Sequence, residues 1–354
     1  MLYLLPDELL VDIVEHCNQK TRKSLSLVSR RLRNPSQRVI FKMMNIPREI
    51  FEAIVPGFAV WGGGGHFLEM IQDDRLLSYI QTFIMSNALR CLEMDTMELV
   101  FTALYRMRPL RDIKLFDIRF TTTMLDRLCE VLSIRPYTVE LRHCVYPADY
   151  TFQQATLKIH KLWLEYESIG GAPQPAMSKL LVDIIERSLS SITSLTLPSC
   201  LGLLASLGTM PQLTSLNISS KSPENSEGLR RFLVENPQLV EFTLDSAHRD
   251  LSLLPSSALP NLRTIRVNAS LVPHLLQGRS VVKVEINILS SVNFMVDGLR
   301  ALSCSATPII DLTLHLHYYN TDVCELLDAV VETVPHLERI WLYFRSEVRS
   351  ILHF

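Results

Sequence analysis

Apolar residues recur along this chain in a fixed frame: two anchors three positions apart, then a third anchor two positions further on. Leu213-Leu216-Ile218, Leu239-Phe242-Leu244 and Leu262-Ile265-Val267 share it, each behind a Pro-Gln or Pro-Asn step. The frame returns at Ile80-Phe83-Met85, Leu110-Ile113-Leu115, Ile159-Leu162-Leu164 and Ile192-Leu195-Leu197. It continues at Val281-Val284-Ile286, Ile309-Leu312-Leu314 and Leu337-Ile340-Leu342, with a weaker copy at Pro136-Val139-Leu141. The eleven central anchors run from residue 83 to residue 340. A step therefore averages about 26 residues, the spacing of a solenoid.

The positions beside the anchors carry a separate signal. Of the 33 residues before, between and after the second and third anchors, only Ile84, Phe116, Trp163, Trp341 and Tyr343 are hydrophobic, against 47% of the chain. Alternation at period two separates an inward from an outward face, as a strand does. Between the frames lie helical patterns of ten to fifteen residues, at Glu98–Leu104, Met124–Leu132, Leu180–Ile185, Gly228–Val234 and Cys324–Val331. Strand, crossover helix and strand again predicts a parallel α/β sheet coiled into a solenoid, strands on the concave face and helices on the convex one.

The first forty residues follow another period. Pro6 with Asp7 and Glu8 reads as a helix start, and Leu9, Leu10, Ile13, Val14 and Cys17 recur at helical spacing. A polar break at Asn18-Gln19-Lys20 precedes a second helical run through Leu25, Val28 and Leu32. Pro35 is placed to open a third, carrying Val39, Ile40, Met43 and Met44. Three short helices cannot bury all these groups among themselves. Their exposed remainder needs either the body of the protein, as under a cap, or a partner chain.

Leu5-Pro6-x-Glu8-Leu9-Leu10-x-x-Ile13, followed by Ser24-Leu25-Ser26-Leu27-Val28-Ser29-Arg30-Arg31, resembles an F-box, and Arg38-Val39-Ile40-Phe41 resembles the tail of that motif in fungal F-box proteins. The resemblance implies docking on the Skp adaptor of an SCF-type ubiquitin ligase, and through it on a cullin scaffold. It makes Leu5, Pro6, Leu9, Ile13, Leu25 and Val28 the adaptor contacts or their supports. The body resembles a leucine-rich repeat domain, with Cys144 and Cys200 at the ninth repeat position where that family often buries a thiol. Steps of 19 to 33 residues make it an irregular one. The expected organisation is an F-box-like module at 1–44, a helical linker and cap at 45–79, and a solenoid of about eleven repeats at 80–354.

Composition narrows this further. Leucine fills 58 positions and glycine 12, which excludes disordered and collagen-like chains. The formal charge is -2. Residues 1–49 hold nine Lys/Arg against five Asp/Glu, a net of +4 that leaves -6 for the remainder. Neither nucleic acid nor membrane is expected as the partner. Seven cysteines without a C-x-x-C pair read as reduced thiols, and Met1-Leu-Tyr-Leu-Leu meets Pro6-Asp7-Glu8 before any leader-like apolar stretch develops. A cytoplasmic or nuclear location is the expectation.

No G-x-S-x-G, H-E-x-x-H or P-loop occurs. The Gly62–Gly65 run has no Lys-Ser/Thr after it, and the Gly170–Pro175 stretch reads as a loop. His315 and His317 share a strand face without an evident third metal ligand. No catalysis, metal or cofactor is expected. The outward strand residues are the functional candidates, because aromatic rings among charges suit protein binding. They include Lys114, Glu140, Asn268, Glu285 and Asp311, and the expected target contacts among them are Phe116, Arg142, Trp163, Glu165, Asp245, Arg266, His315, Trp341 and Tyr343. Trp163 and Trp341 are either anchors for a target protein or rings packed on their own neighbours. Two functions fit: substrate receptor of a ubiquitin ligase, or a leucine-rich repeat interaction scaffold outside ubiquitination whose N-terminal helices form a structural cap.

Overall fold

The computed structural model describes residues 5–46, 71–86, 94–147, 149–153, 156–165, 175–198, 204, 206–219, 226–245, 251, 253–287, 298–317 and 323–345. The glycine run at 62–65, the loop at 170–174 and Cys200 lie outside them. The chain divides into two compact units, residues 1–167 with 174–191 and residues 168–173 with 192–354.

The first unit begins with three helices: α1 (Asp7–His16), α2 (Gln19–Val28) and α3 (Arg30–Ile40). Asp7 and Glu8 occupy the first turn of α1, where the exposed amides favour negative charge. Asn18 caps α2 by accepting from the Thr21 amide at 2.9 Å. Ser29 caps α3 by accepting from the Arg31 amide at 3.2 Å. That serine corrects two expectations. The second helix stops at Val28 rather than running to Leu32, and the third opens at Arg30, with Pro35 inside it. Leu10 and Val14 are buried on α1, as are Ser36 and Val39 on α3. Two arginines tie the helices together through backbone carbonyls. Arg22 donates to Val14 O at 3.0 Å and to Glu15 O, and Arg31 reaches back to Leu5 O.

Met43 and Met44 are not helical. They open strand β1 (Met43–Ile46), which pairs in parallel with β2 (Thr82–Ser86) from Met43↔Thr82 to Ile46↔Met85. The Lys42 carbonyl accepts from the amides of Gln81 and Thr82 at 2.8 and 3.1 Å. The sheet's hydrogen bonds thus claim a segment whose apolar pairs also suit a helix. A short helix α4 (Asp74–Leu77) leads into β2 under an Asp73 cap. Then follow α5 (Met94–Arg106), β3 (Asp112–Phe116), α6 (Thr122–Ile134), β4 (Tyr137–Arg142), β5 (Ile159–Glu165) and α7 (Pro175–Ser188). Strands β1 to β5 are parallel neighbours in chain order.

The second unit repeats the plan with β6 (Ser194–Pro198), β7 (Ser215–Ser219), α8 (Ser226–Glu235), β8 (Glu241–Leu244), β9 (Thr264–Asn268), α9 (Val272–Leu276), β10 (Lys283–Asn287), β11 (Asp311–His317), α10 (Val323–Thr333) and β12 (Arg339–Arg345). Its strands are also parallel neighbours in chain order. Each of the eleven sequence frames forms one strand, β2 to β12, and from β2 to β11 the second and third anchors are buried in every one. The same tight turn feeds many of them. The first anchor's amide donates to the carbonyl three residues back, as in Leu110→Met107, Leu213→Met210, Leu239→Asn236 and Leu262→Leu259, at 3.0–3.3 Å.

Two polar side chains brace the turns of the second unit. Asn236 is buried; it accepts from the Met210 amide at 2.7 Å and donates to Phe232 O at 2.8 Å. Arg279 is 1% exposed, and its guanidinium donates to the carbonyls of Ala258, His274 and Pro255 at 2.6–2.7 Å. Gly298 marks a close approach, since a Cβ there would sit 2.9 Å from Ala269 O.

Candidate functional site

The outward faces of the strands hold two side-chain clusters, and the N-terminal helices a third surface. In the first unit, register sets two rungs across β3, β4 and β5: Lys114–Glu140–Trp163 and Phe116–Arg142–Glu165. Arg142 sits at their centre. Its guanidinium pairs with Glu140, lies 3.4 Å from Glu165, and stands 4.4 Å from the Trp163 ring centre and 5.4 Å from that of Phe116. Lys114 reaches the second Glu140 oxygen at 3.0 Å. Glu140 stands on the outward side as expected but is 4% exposed beneath this cover. Trp163 stays 41% exposed. Beyond the strand, the Cys144 thiol is buried and donates to Leu115 O at 3.4 Å. Burial pushes that thiol up to about 12, too high for a nucleophile.

In the second unit Arg266, Glu285, Thr313 and Trp341 form one rung, and Asn268, Asn287, His315 and Tyr343 the next. His315 Nε2 lies 2.5 Å from Glu285 Oε1, and its ring stacks on Tyr343 at 5.1 Å. Arg266 is 3.2 Å from Glu285 and 3.8 Å from Asp245. Asn287 donates to Asp245 at 2.7 Å across the strand between them, above Asn268, which is 1% exposed. Asp311 is likewise buried, and pairs with Arg339 at 3.2 Å. Trp341 and Tyr343 remain half exposed.

The structure therefore gathers Phe116, Arg142, Trp163 and Glu165 into one cluster. Asp245, Arg266, His315, Trp341 and Tyr343 belong to the other. Their partners Lys114, Glu140 and Glu285 belong to the same outward strand candidates in the sequence, whereas Asn287 stands out there by nothing but its place in the frame and is brought in by cross-strand register. In both clusters the charges are spent on one another, so neither presents a strong field of one sign. What is left for a partner is aromatic surface with hydrogen-bonding rims, which suits a protein segment. Among the described residues no three His, Cys, Asp or Glu side chains converge on a metal-sized space.

The third surface lies on α1 and α2. Leu9 and Ile13, one helical turn apart, are 47% and 41% exposed, and Val28 on α2 is 75% exposed. Pro6 is exposed, and Leu5 and Leu25 are half-buried. Leu27, which sequence reasoning left out of the contact set, is 80% exposed. Leu9, Ile13, Leu27 and Val28 thus form exposed apolar surface on two short helices.

Residues 2–42 match the F-box domain family. The matched segment ends where the chain leaves α3 for β1, and it contains every exposed apolar residue just named. F-box domains bind Skp-type adaptors, and proteins that carry them are typically adaptors rather than enzymes. The comparison with curated proteins returns no match. No helix among the described residues is long and apolar enough to cross a membrane.

Proposed function

We propose that this chain is a substrate-recognition subunit of an SCF-type E3 ubiquitin ligase. The F-box segment docks a Skp adaptor, and through it a cullin, using Leu5, Pro6, Leu9, Ile13, Leu25 and Val28, with Leu27 added to that set. The body is an irregular leucine-rich repeat domain of the fungal F-box type. Its strand faces hold the target protein, through Phe116, Arg142, Trp163 and Glu165 in one unit and Asp245, Arg266, His315, Trp341 and Tyr343 in the other. Catalysis belongs to other subunits, and this chain supplies proximity. Such a receptor works in the cytoplasm or nucleus.

The observation that carries this reading is the F-box match over a segment whose Leu9, Ile13 and Val28 stand in solvent. Affinity purification with mass spectrometry tests it, on the unaltered chain, a Leu9→Asp/Ile13→Asp variant and an Arg142→Ala/Trp163→Ala variant. The helix variant should lose adaptor and cullin while keeping the target, and the sheet variant the reverse. Loss of neither class from either variant overturns the assignment.

One observation favours a second reading, an interaction scaffold outside ubiquitination with the helices as a structural cap. The chain passes from α3 into β1 within three residues, so the helices are continuous with the sheet. The cap reading expects Leu9→Asp/Ile13→Asp to leave every partner in place.

A further inference from the structure

The end of the sheet where β3, β4 and β5 begin carries a surface that neither side-chain cluster uses. Arg108, Arg111 and Arg135 line a cleft of about 510 Å³ there, together with Asp112, Tyr137 and His160. Arg108 and Arg111 lie on the turn into β3, Arg135 on the turn into β4, and His160 in β5. Arg135 is held in place: its Nε donates to the Tyr137 hydroxyl at 2.9 Å and its Nη2 to Met107 O at 2.6 Å. Arg108 and Arg111 are exposed, and neither guanidinium pairs with a carboxylate among the described residues. Asp112, the one carboxylate among the described residues of this lining, already accepts from the Thr82 hydroxyl at 3.1 Å. Three guanidinium groups against one carboxylate make the cleft positive, in a chain whose residues beyond 49 sum to -6.

The position of this charge says what fits it. Asp112, Thr138 and Lys161 form one outward rung, and Lys114, Glu140 and Trp163 the next. Two residues separate the rungs, about 7 Å along the strand. Lys161 is exposed and carries the positive edge across to β5. An extended chain seated on Trp163 therefore reaches the cleft two residues further on. An arginine fork takes a carboxylate or a phosphate through two parallel hydrogen bonds. Spread favours carboxylates. From β3 to β5 is about 10 Å, so the cations suit several charges along a segment better than one compact dianion. A long nucleic acid fits less well, because the net negative charge of the body repels it.

We propose that this cleft binds the Asp and Glu side chains of an acidic protein segment whose neighbouring apolar residue lies on Trp163. The inference rests on the target-binding reading of the strand face and adds the charge of the target there. The probe is a labelled peptide, Glu-Glu-Glu-Gly-Phe-Gly-Glu-Glu-Glu, which sets a glutamate two residues from the ring in either direction. Fluorescence anisotropy with the full chain should show binding that weakens as salt rises. The same peptide with glutamine for glutamate should bind about tenfold less well or worse.

Arg108→Glu/Arg111→Glu should lower affinity for the glutamate peptide about tenfold or more, and Arg108→Gln/Arg111→Gln by less. Both positions are exposed, so these variants should melt with the parent. Trp163→Ala should also weaken binding, and its effect should vanish when glycine replaces the peptide's phenylalanine. Equal binding by the parent and Arg108→Glu/Arg111→Glu overturns the proposal, as does no binding by the parent. So does displacement of the peptide by inorganic phosphate at a lower concentration, which marks a site for one phosphoryl group. Tighter binding of a single-stranded oligonucleotide of the same length overturns it as well. Target capture separates this failure from that of the whole face. A target lost from Arg142→Ala/Trp163→Ala but kept by Arg108→Glu/Arg111→Glu overturns the cleft alone, and a target kept by both overturns the face with it.

Discussion

The guanidinium of Arg142 stands 4.4 Å from the centre of the Trp163 ring while pairing with the buried carboxylate of Glu140. One side chain thereby holds an exposed indole in place and neutralises an acid that lies under it. Arg142→Ala should cost about 2 kcal/mol, because among the described residues Glu140 then keeps only Lys114 as a cation. Trp163→Ala should cost less, since the ring is partly in solvent. The double variant should fall short of the sum by about 0.5–1 kcal/mol, the coupling of a cation over a ring. Denaturant unfolding of the four proteins measures this, and strict additivity contradicts it.

Arg279 illustrates a stabilising residue whose closest partners among the described residues are carbonyls rather than carboxylates. Its three closest acceptors are carbonyls of Ala258, His274 and Pro255, and burial lowers its pKa without removing the charge. Arg279→Met keeps much of the volume but removes the guanidinium donors from those carbonyls, of which Pro255 O retains the Ala258 amide at 2.9 Å. The expected loss is about 3 kcal/mol or more, seen as a drop in Tm. Arg279→Lys should recover part of it, because one ammonium cannot span all three acceptors. A Tm unchanged in Arg279→Met contradicts the bracing role.

Burial pushes the thiols of Cys129 and Cys144 up to about 12, from an ordinary value of 9.0. Between those values the folded chain keeps a proton that the unfolded chain gives up. Stability should be flat below pH 9 from this source and fall as pH rises toward 12, by about 1.4 kcal/mol per pH unit per thiol. Unfolding free energies of the parent and Cys144→Ala should therefore converge with rising pH. At neutral pH, thiol reagents should modify Cys304, which is exposed, well before Cys129 or Cys144. Equal labelling rates contradict the burial of these two.

Much of the strand layout is legible because period-two alternation and the step between frames are local. Every frame from Ile80-Phe83-Met85 to Leu337-Ile340-Leu342 forms a strand. Strand β1 escapes that reading because Met43-Met44-Asn45-Ile46 is too short to show alternation and its hydrogen bonds come from β2, some 39 residues on. The start of α3 turns on one hydroxyl, Ser29, which outweighs the preference of Pro35 for a helix start. Sequence also assigns Glu140, Asn268 and Asp311 to the outward side correctly, yet all three are buried. Their covers, Arg142 for Glu140 and the Asn287–Asp245 bond for Asn268, come from neighbouring positions across the sheet. Such covering is a property of two dimensions, and a one-dimensional pattern does not carry it. The exposure of Leu27 is missed for a plainer reason: it neighbours Val28 on α2, and helical spacing alone does not rank the two.

The proposed adaptor-docking site is the exposed apolar surface of α1 and α2. Titration calorimetry of the full chain with a purified Skp-type adaptor tests it most directly, beside the Leu9→Asp/Ile13→Asp variant. Both positions face solvent, so the variant should melt at the same temperature as the parent. The parent should bind saturably and the variant should not bind. Equal affinity of the two proteins for the adaptor, or no binding by the parent, would contradict it.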